Sequence, residues 1–159
     1  MQTLQADSSY QRHILYHYNR FAHLYDLGEW LRHGTRQKAL HLSGWKPGER
    51  VLDLCTGTGI LARTFASQGA NVTGVDIARG MLKRASAKGK GMDATWVEMD
   101  ATCLAFPDRS FEVSVLSLAL HHMPVPVQQA VLYESCRVTC RCVVIIEPDI
   151  PVNPAWIPL

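Results

Sequence analysis

Val51-Leu52-Asp53-Leu54-Cys55-Thr56-Gly57-Thr58-Gly59 joins a short apolar run to a turn with two glycines, and Ile60-Leu61-Ala62 opens an apolar helical pattern directly after it. A run this short and this apolar reads as a strand buried on both faces, as strands of a parallel sheet are. Glycines at its end let backbone approach a ligand closely, and the N-terminus of the following helix offers N–H donors to it. The unit is a ligand-binding turn at the carboxyl end of a parallel strand. Taken alone, Gly57-Thr58-Gly59-Ile60-Leu61-Ala62 also fits the dinucleotide fingerprint G-x-G-x-x-A, so the glycines leave a nicotinamide and another adenosyl cofactor both open.

Downstream the same alternation recurs. Asn71 to Val75 reads as a second strand, Ala78 to Lys88 as a helix, and Ala94 to Met99 as a third strand. Phe111 to Leu118, about Val125 to Val138, and Cys142 to Glu147 continue as strand, helix, strand. This regular order predicts right-handed crossovers and a parallel sheet covered by helices on both faces. Upstream, Ile14, Leu15, Tyr18, Phe21, Ala22 and Tyr25 recur at helical spacing, which predicts a helix from Tyr10 to near Asp26. A second, short helix over about Thr35 to Leu42 ends at Gly44, before the turn Lys46-Pro47-Gly48. Pro148, Pro151, Pro154 and Pro158 exclude a helix or central strand at the end of the sequence. The expected division is N-terminal helices over 1–46, the sheet domain over 47–150 and an extended proline-rich tail over 151–159.

The sequence has 159 residues, enough for one domain with an ordinary core. Sixteen Lys and Arg against fourteen Asp and Glu give a formal charge of +2, too little and too scattered for a nucleic-acid footprint, so no nucleic-acid partner is expected. Met1 to Ser9 is polar and no stretch approaches the roughly eighteen apolar residues of a membrane helix, so no membrane segment and a cytoplasmic location are expected. Cys55, Cys103, Cys136, Cys140 and Cys142 have no disulfide-like spacing. Cys136, Cys140 and Cys142 lack a fourth ligand, so no metal site is expected.

Three acids mark the cofactor side. Asp76 ends the second strand, where a carboxylate accepts hydrogen bonds from both hydroxyls of an adenosyl ribose; Asp76-Ile77-Ala78 is also a plain start to a helix. Asp53 stands four residues before Gly57, where dinucleotide folds usually carry an apolar residue, and it suits an ammonium group. Asp100, just after the third strand, is placed to accept the exocyclic amine of adenine, or is a solvated loop acid. The strand from Phe111 then delivers His121 and His122 to the edge where parallel sheets bind ligands. For His121 a structural part is expected, and His122 is the candidate to face a reaction pocket.

With these residues quoted, the chain resembles class I S-adenosylmethionine-dependent methyltransferases, above all the ubiquinone and menaquinone C-methyltransferase-like group. Asp53 to Gly59 matches that family's first motif, Gly74-Val75-Asp76-Ile77-Ala78-Arg79-Gly80-Met81-Leu82 its second, and Asp100-Ala101 its adenine-side motif. The resemblance implies a Rossmann-like α/β three-layer sandwich with parallel strand order 3-2-1-4-5, lacking the last two strands of the family's order 3-2-1-4-5-7-6. S-adenosyl-L-methionine is the implied cofactor and S-adenosyl-L-homocysteine the product. The implied contacts are Asp53 to the methionine amino end, Gly57 and Gly59 along the cofactor, and Asp76 with neighbouring Ile77 at the ribose. Asp100 and Ala101 go to adenine, Met81 packs on the base, Ser117 lies near the methionine portion, and Tyr25 is the aromatic that closes over the cofactor. Cys55 stands where many relatives have glycine, Glu112 replaces a common Asp, and Thr139-Cys140-Arg141-Cys142 lacks the usual glycine pair.

In-line transfer to a positioned small-molecule acceptor needs no nucleophilic side chain, and His122 is the expected general base where the acceptor must lose a proton. The acceptor is not readable from these residues. Without a seventh strand beside it, the apolar fifth strand is expected at a sheet edge, which invites a homodimer or marks a fragment of a longer parent. The rival readings are a truncated, non-catalytic cofactor-binding or interaction module, and a nicotinamide-dependent oxidoreductase.

Overall fold

In the computed structural model, which describes Tyr16, Tyr18 and residues 33–148, the apolar runs form the centre of a parallel sheet. Helix α1 (His33–Ser43) precedes β1 (Arg50–Leu54), α2 (Ile60–Ala66), β2 (Asn71–Asp76), α3 (Arg79–Lys88) and β3 (Ala94–Glu98). There follow β4 (Phe111–Ser117), a 3-10 turn (Leu120–His122), α4 (Val125–Val138) and β5 (Thr139–Ile146). The helix expected over Tyr10 to Asp26 falls outside the described residues apart from Tyr16 and Tyr18, as does the tail over 151–159.

Strand order is β3-β2-β1-β4-β5, with every neighbouring pair parallel. The chain moves outward from β1 to β3, then returns to the other side of β1 with β4. Carboxyl ends of β1 and β4 therefore diverge into helices on opposite sides, which opens a crevice at the point where the order reverses.

Alternation along each strand decides which face a side chain joins. Val51, Val72, Val113, Val115 and Val144 pack with Ala39 and Leu40 of α1 and Leu61, Ala62 and Phe65 of α2. Leu52, Leu54, Val75 and Leu116 point the other way, toward Val131 and Val138 of α4. Leu52 and Leu54 have no exposed surface, and burying each contributes about 2 kcal/mol. The sheet thus lies between two helical layers, as the sequence predicts.

Most element ends fall within one or two residues of expectation, the ordinary uncertainty of helix and strand ends. β5 differs more: it begins at Thr139, not Cys142. Its polar start is held from outside the strand. The Thr139 hydroxyl donates to the Ser135 carbonyl, and Arg141 makes a two-pronged contact with Glu49 at 2.9 and 2.6 Å. Glu112 accepts the Arg50 backbone N–H at 2.8 Å and Arg50 Nε at 3.1 Å, tying β4 to β1 at the amino edge of the sheet.

Candidate functional site

At the carboxyl edge, one crevice of about 190 Å³ is lined by Asp53, Gly57, Asp76, Ile77, Met81, Asp100, Ala101, Ser117 and His122. Residues separated by most of the chain meet there because four parallel strands end along one edge. Tyr25 lies outside the described residues. Gly59 is not part of the lining: a Cβ on it would stand 2.5 Å from the Trp96 ring, so its missing side chain admits Trp96 beneath the turn. Gly57 is different. Its φ is +56, a Cβ there would meet nothing within 4 Å, and the space faces the crevice.

Asp53 is 2 % exposed, and its Oδ2 accepts the Thr56 hydroxyl at 2.6 Å and the Ala62 N–H at 3.0 Å. Burial pushes its carboxyl from 3.8 up to about 7, Thr56 and Ala62 pull it back only in part, and the Asp76 charge adds to the rise. None of the groups that perturb it is a cation. A buried acid so poised at the wall of a crevice is suited to receive a positive ligand group.

Asp76 is raised by burial too, against three backbone N–H groups that favour its charge. Its Oδ2 accepts the Gly57 N–H at 2.8 Å and its Oδ1 the Ala78 N–H at 2.8 Å. The acid therefore starts α3 and orders the glycine turn at once, and each oxygen keeps acceptor capacity for a diol. Asp100 Oδ1 accepts the N–H and hydroxyl of Thr102, both at 2.8 Å, which fixes the loop after β3. That loop is pinned farther along by α4: Arg137 donates to the carbonyls of Leu104 at 2.8 Å and Phe106 at 2.9 Å, while Glu134 accepts the Leu104 N–H at 2.7 Å.

Sequence reasoning missed several lining residues: Arg36, Thr56, Met99, Leu118, Met123, Val127 and Ile146. Thr56 was within the quoted turn and its hydroxyl gave a signal; the apolar ones read only as core. They divide the crevice. Acids and Thr56 line the ends of β1, β2 and β3, while Leu118, Met123, Val127 and Ile146 make an apolar wall toward α4 and β5. His122 lies on that side, and its ring meets Tyr18 edge to face at 6.1 Å. His121 takes the structural part expected of it, with Nδ1 2.6 Å from Glu147 Oε2. Cys55, at φ 54, occupies the left-handed conformation that favours the glycine the resemblance implies there, and burial together with the surrounding acids pushes its thiol well above the usual range. No group of metal-binding side chains occurs among the described residues, and no described helix is long and apolar enough to cross a membrane.

The family described as "Methyltransferase domain" matches residues 51–141. The chain is 40% identical over 114 residues to the ubiquinone/menaquinone biosynthesis C-methyltransferase UbiE of Bdellovibrio bacteriovorus, covering 69% of this chain and 47% of that one. It is 38% identical over 113 residues to the demethylmenaquinone methyltransferase of Paenarthrobacter aurescens, covering 70% and 43%. Among solved structures, the YcgJ protein of Bacillus subtilis superposes with a TM-score of 0.69 at 25% identity, covering 77% of this chain and 54% of that one. The chain therefore spans about half the length of these relatives.

Proposed function

Because the chain belongs to the methyltransferase-domain family, matched over residues 51–141, we propose that it holds S-adenosylmethionine in this crevice and passes the methyl group to a small molecule. One observation carries the reading: Asp53, Asp76 and Asp100, from three neighbouring strands, line the same crevice as His122. The donor set fits the cofactor. A buried acid raised to about 7 with no cation among its perturbing groups suits the methionine ammonium, and the open side of Gly57 leaves room for close backbone approach.

In this reading Asp53 takes the amino end of the cofactor, Asp76 the ribose hydroxyls, and Asp100 with Ala101 the adenine edge. Ile77 and Met81 supply apolar walls, Ser117 flanks the methionine portion, and Gly59 acts through the shape of the turn. Tyr25 is assigned to the cofactor by resemblance alone. When bound, the cofactor supplies an electrophilic methyl on a sulfonium. The chain's own residues orient the acceptor against it, exclude water along the apolar wall, and remove a proton at His122 where the acceptor carries one. Leu118, Met123, Val127 and Ile146 favour an apolar, ring-bearing acceptor, and the quinones in the names of the relatives are of that class. A cytoplasmic location and self-association through the edge of β5 that is unpaired among the described residues belong to the same reading.

Calorimetric titration with S-adenosylhomocysteine and, separately, with NAD tests it. Binding of the first without the second is expected; the reverse would replace the reading with an oxidoreductase. Transfer of labelled methyl to a demethylated naphthoquinol is the second expectation, and binding without transfer to that or other ring acceptors would leave a cofactor-binding module. His122→Ala is expected to lower the rate about 100-fold and flatten its pH dependence; an unchanged profile removes His122 from catalysis.

A further inference from the structure

Glu147, the first residue beyond β5, sets its carboxylate across the start of the turn Leu120–His122. Its Oε1 accepts the backbone N–H groups of Ala119 at 3.0 Å and Leu120 at 2.8 Å. Its Oε2 accepts the His121 N–H at 3.3 Å and lies 2.6 Å from His121 Nδ1. These are the N–H groups that a helical turn leaves without internal partners, and their dipoles favour a negative charge there. Burial alone would raise the Glu147 carboxyl, but the His121 ring and the three N–H groups outweigh it and hold it below its ordinary value. The carboxylate is therefore charged at neutral pH.

The segment so held is not relaxed. Leu118 has φ 55, a conformation unfavourable for a branched side chain, and its N–H is bound to the Ile146 carbonyl at 2.7 Å. The end of β5 thus fixes both ends of residues 118–121. From the clamp the contact passes from ring to ring: the His121 and His122 rings lie 3.8 Å apart at their centroids, tilted by 45°, and His122 lines the crevice.

We infer that Glu147 is a positioning residue, which sets where His122 stands against the acceptor without itself lining the crevice. The role given to His122 rests on the methyltransferase reading; the clamp rests on the hydrogen bonds alone. Because the three acids of the cofactor side stand on or just after β1, β2 and β3, the inference separates two functions of one crevice. Loss of Glu147 should disturb the acceptor side and spare the cofactor side.

The experiment compares wild type, Glu147→Gln and Glu147→Ala in the full chain by amide hydrogen exchange, histidine ring resonances, S-adenosylhomocysteine titration and methyl transfer to the naphthoquinol. In Glu147→Ala the Ala119 and Leu120 amides should exchange at least about tenfold faster, while Gly57 and Ala78, bound to Asp76, keep their rates. The His122 ring resonances should move in both variants. The kcat should fall about 10- to 100-fold in Glu147→Ala and less in Glu147→Gln, with the dissociation constant for S-adenosylhomocysteine within about threefold of wild type. Unchanged exchange at Ala119 and Leu120 overturns the clamp. Faster exchange with unmoved His122 resonances, or with an unchanged kcat, overturns the positioning role. If wild type binds no S-adenosylhomocysteine, the proposed function fails and the exchange and resonance arms still decide the clamp. Should Glu147→Ala not fold, Glu147→Gln carries the same comparisons.

Discussion

Asp53 places a carboxyl where burial makes its charge costly, and the consequence is measurable without any ligand. Its value is about 7 in the folded protein against 3.8 ordinarily. Between those values the folded chain holds a proton that the unfolded chain has released, so this group's contribution weakens as pH rises through that window and is lost above it. Asp53→Asn removes the titration yet keeps an oxygen for Thr56 and Ala62, whose bonds both end on Oδ2. The variant should gain on the order of 4 kcal/mol over wild type at pH 8 and little at pH 4; urea denaturation at the two pH values checks this, and an equal difference at both refutes it. The same variant should lose S-adenosylhomocysteine binding, and wild-type affinity should climb with pH until about 7. Cys55 is a second local test. At φ 54 a non-glycine residue costs about 1 kcal/mol, close to the chain entropy that glycine would lose. Cys55→Gly should therefore stay within about 0.5 kcal/mol of wild type, whereas β-branched Cys55→Val should lose about 2 kcal/mol by denaturant titration.

Between elements, the packing that supports the site passes through Trp96 on β3. Added Cβ atoms at Gly59, Gly74 and Gly89 would stand 2.5, 2.7 and 2.8 Å from its ring, so three segments leave room for one indole. Gly74→Ala should cost about 2–3 kcal/mol, because the ring, packed against Gly59 and Gly89 as well, must shift to admit the methyl. Trp96→Phe should recover part of that loss in the double variant, and strictly additive melting data would show that the ring is not the obstacle. This cradle also shows what a sequence conceals. The glycine pair Gly57 and Gly59 was legible as a binding turn, but the two serve different neighbours, and a contact with a tryptophan on another strand leaves no mark in local spacing. Glu147 was hidden similarly: its partners are mostly backbone N–H groups, which carry no residue code. The strands over Val51–Leu54 and Phe111–Ser117 were plain because burial on both faces demands unbroken apolar runs. Thr139-Cys140-Arg141 was not, since its strand depends on partners at Ser135 and Glu49.

For the whole molecule, alternation and handedness predict a parallel sheet between helices, and with the order 3-2-1-4-5 that the family resemblance implies the convergence of three acids could be anticipated. What happens beyond β5 could not, because edge pairing depends on groups outside the strand itself. Among the described residues β5 pairs with β4 alone, so its outer row of N–H and C=O groups faces outward. Ile145 is 45% exposed, while Arg141, the kind of charged side chain that blunts an edge, is drawn to Glu49. Two copies related by a two-fold axis would lay their β5 strands antiparallel and bury both Ile145 side chains. Sedimentation of this chain should then show a concentration-dependent dimer. Ile145→Lys should weaken it at least about tenfold, because two added charges would face each other across the axis, with the fold intact because that side chain is already half exposed. A sedimentation coefficient constant over a wide concentration range, together with slow exchange of the β5 amides, would mean that the edge is covered from within the chain.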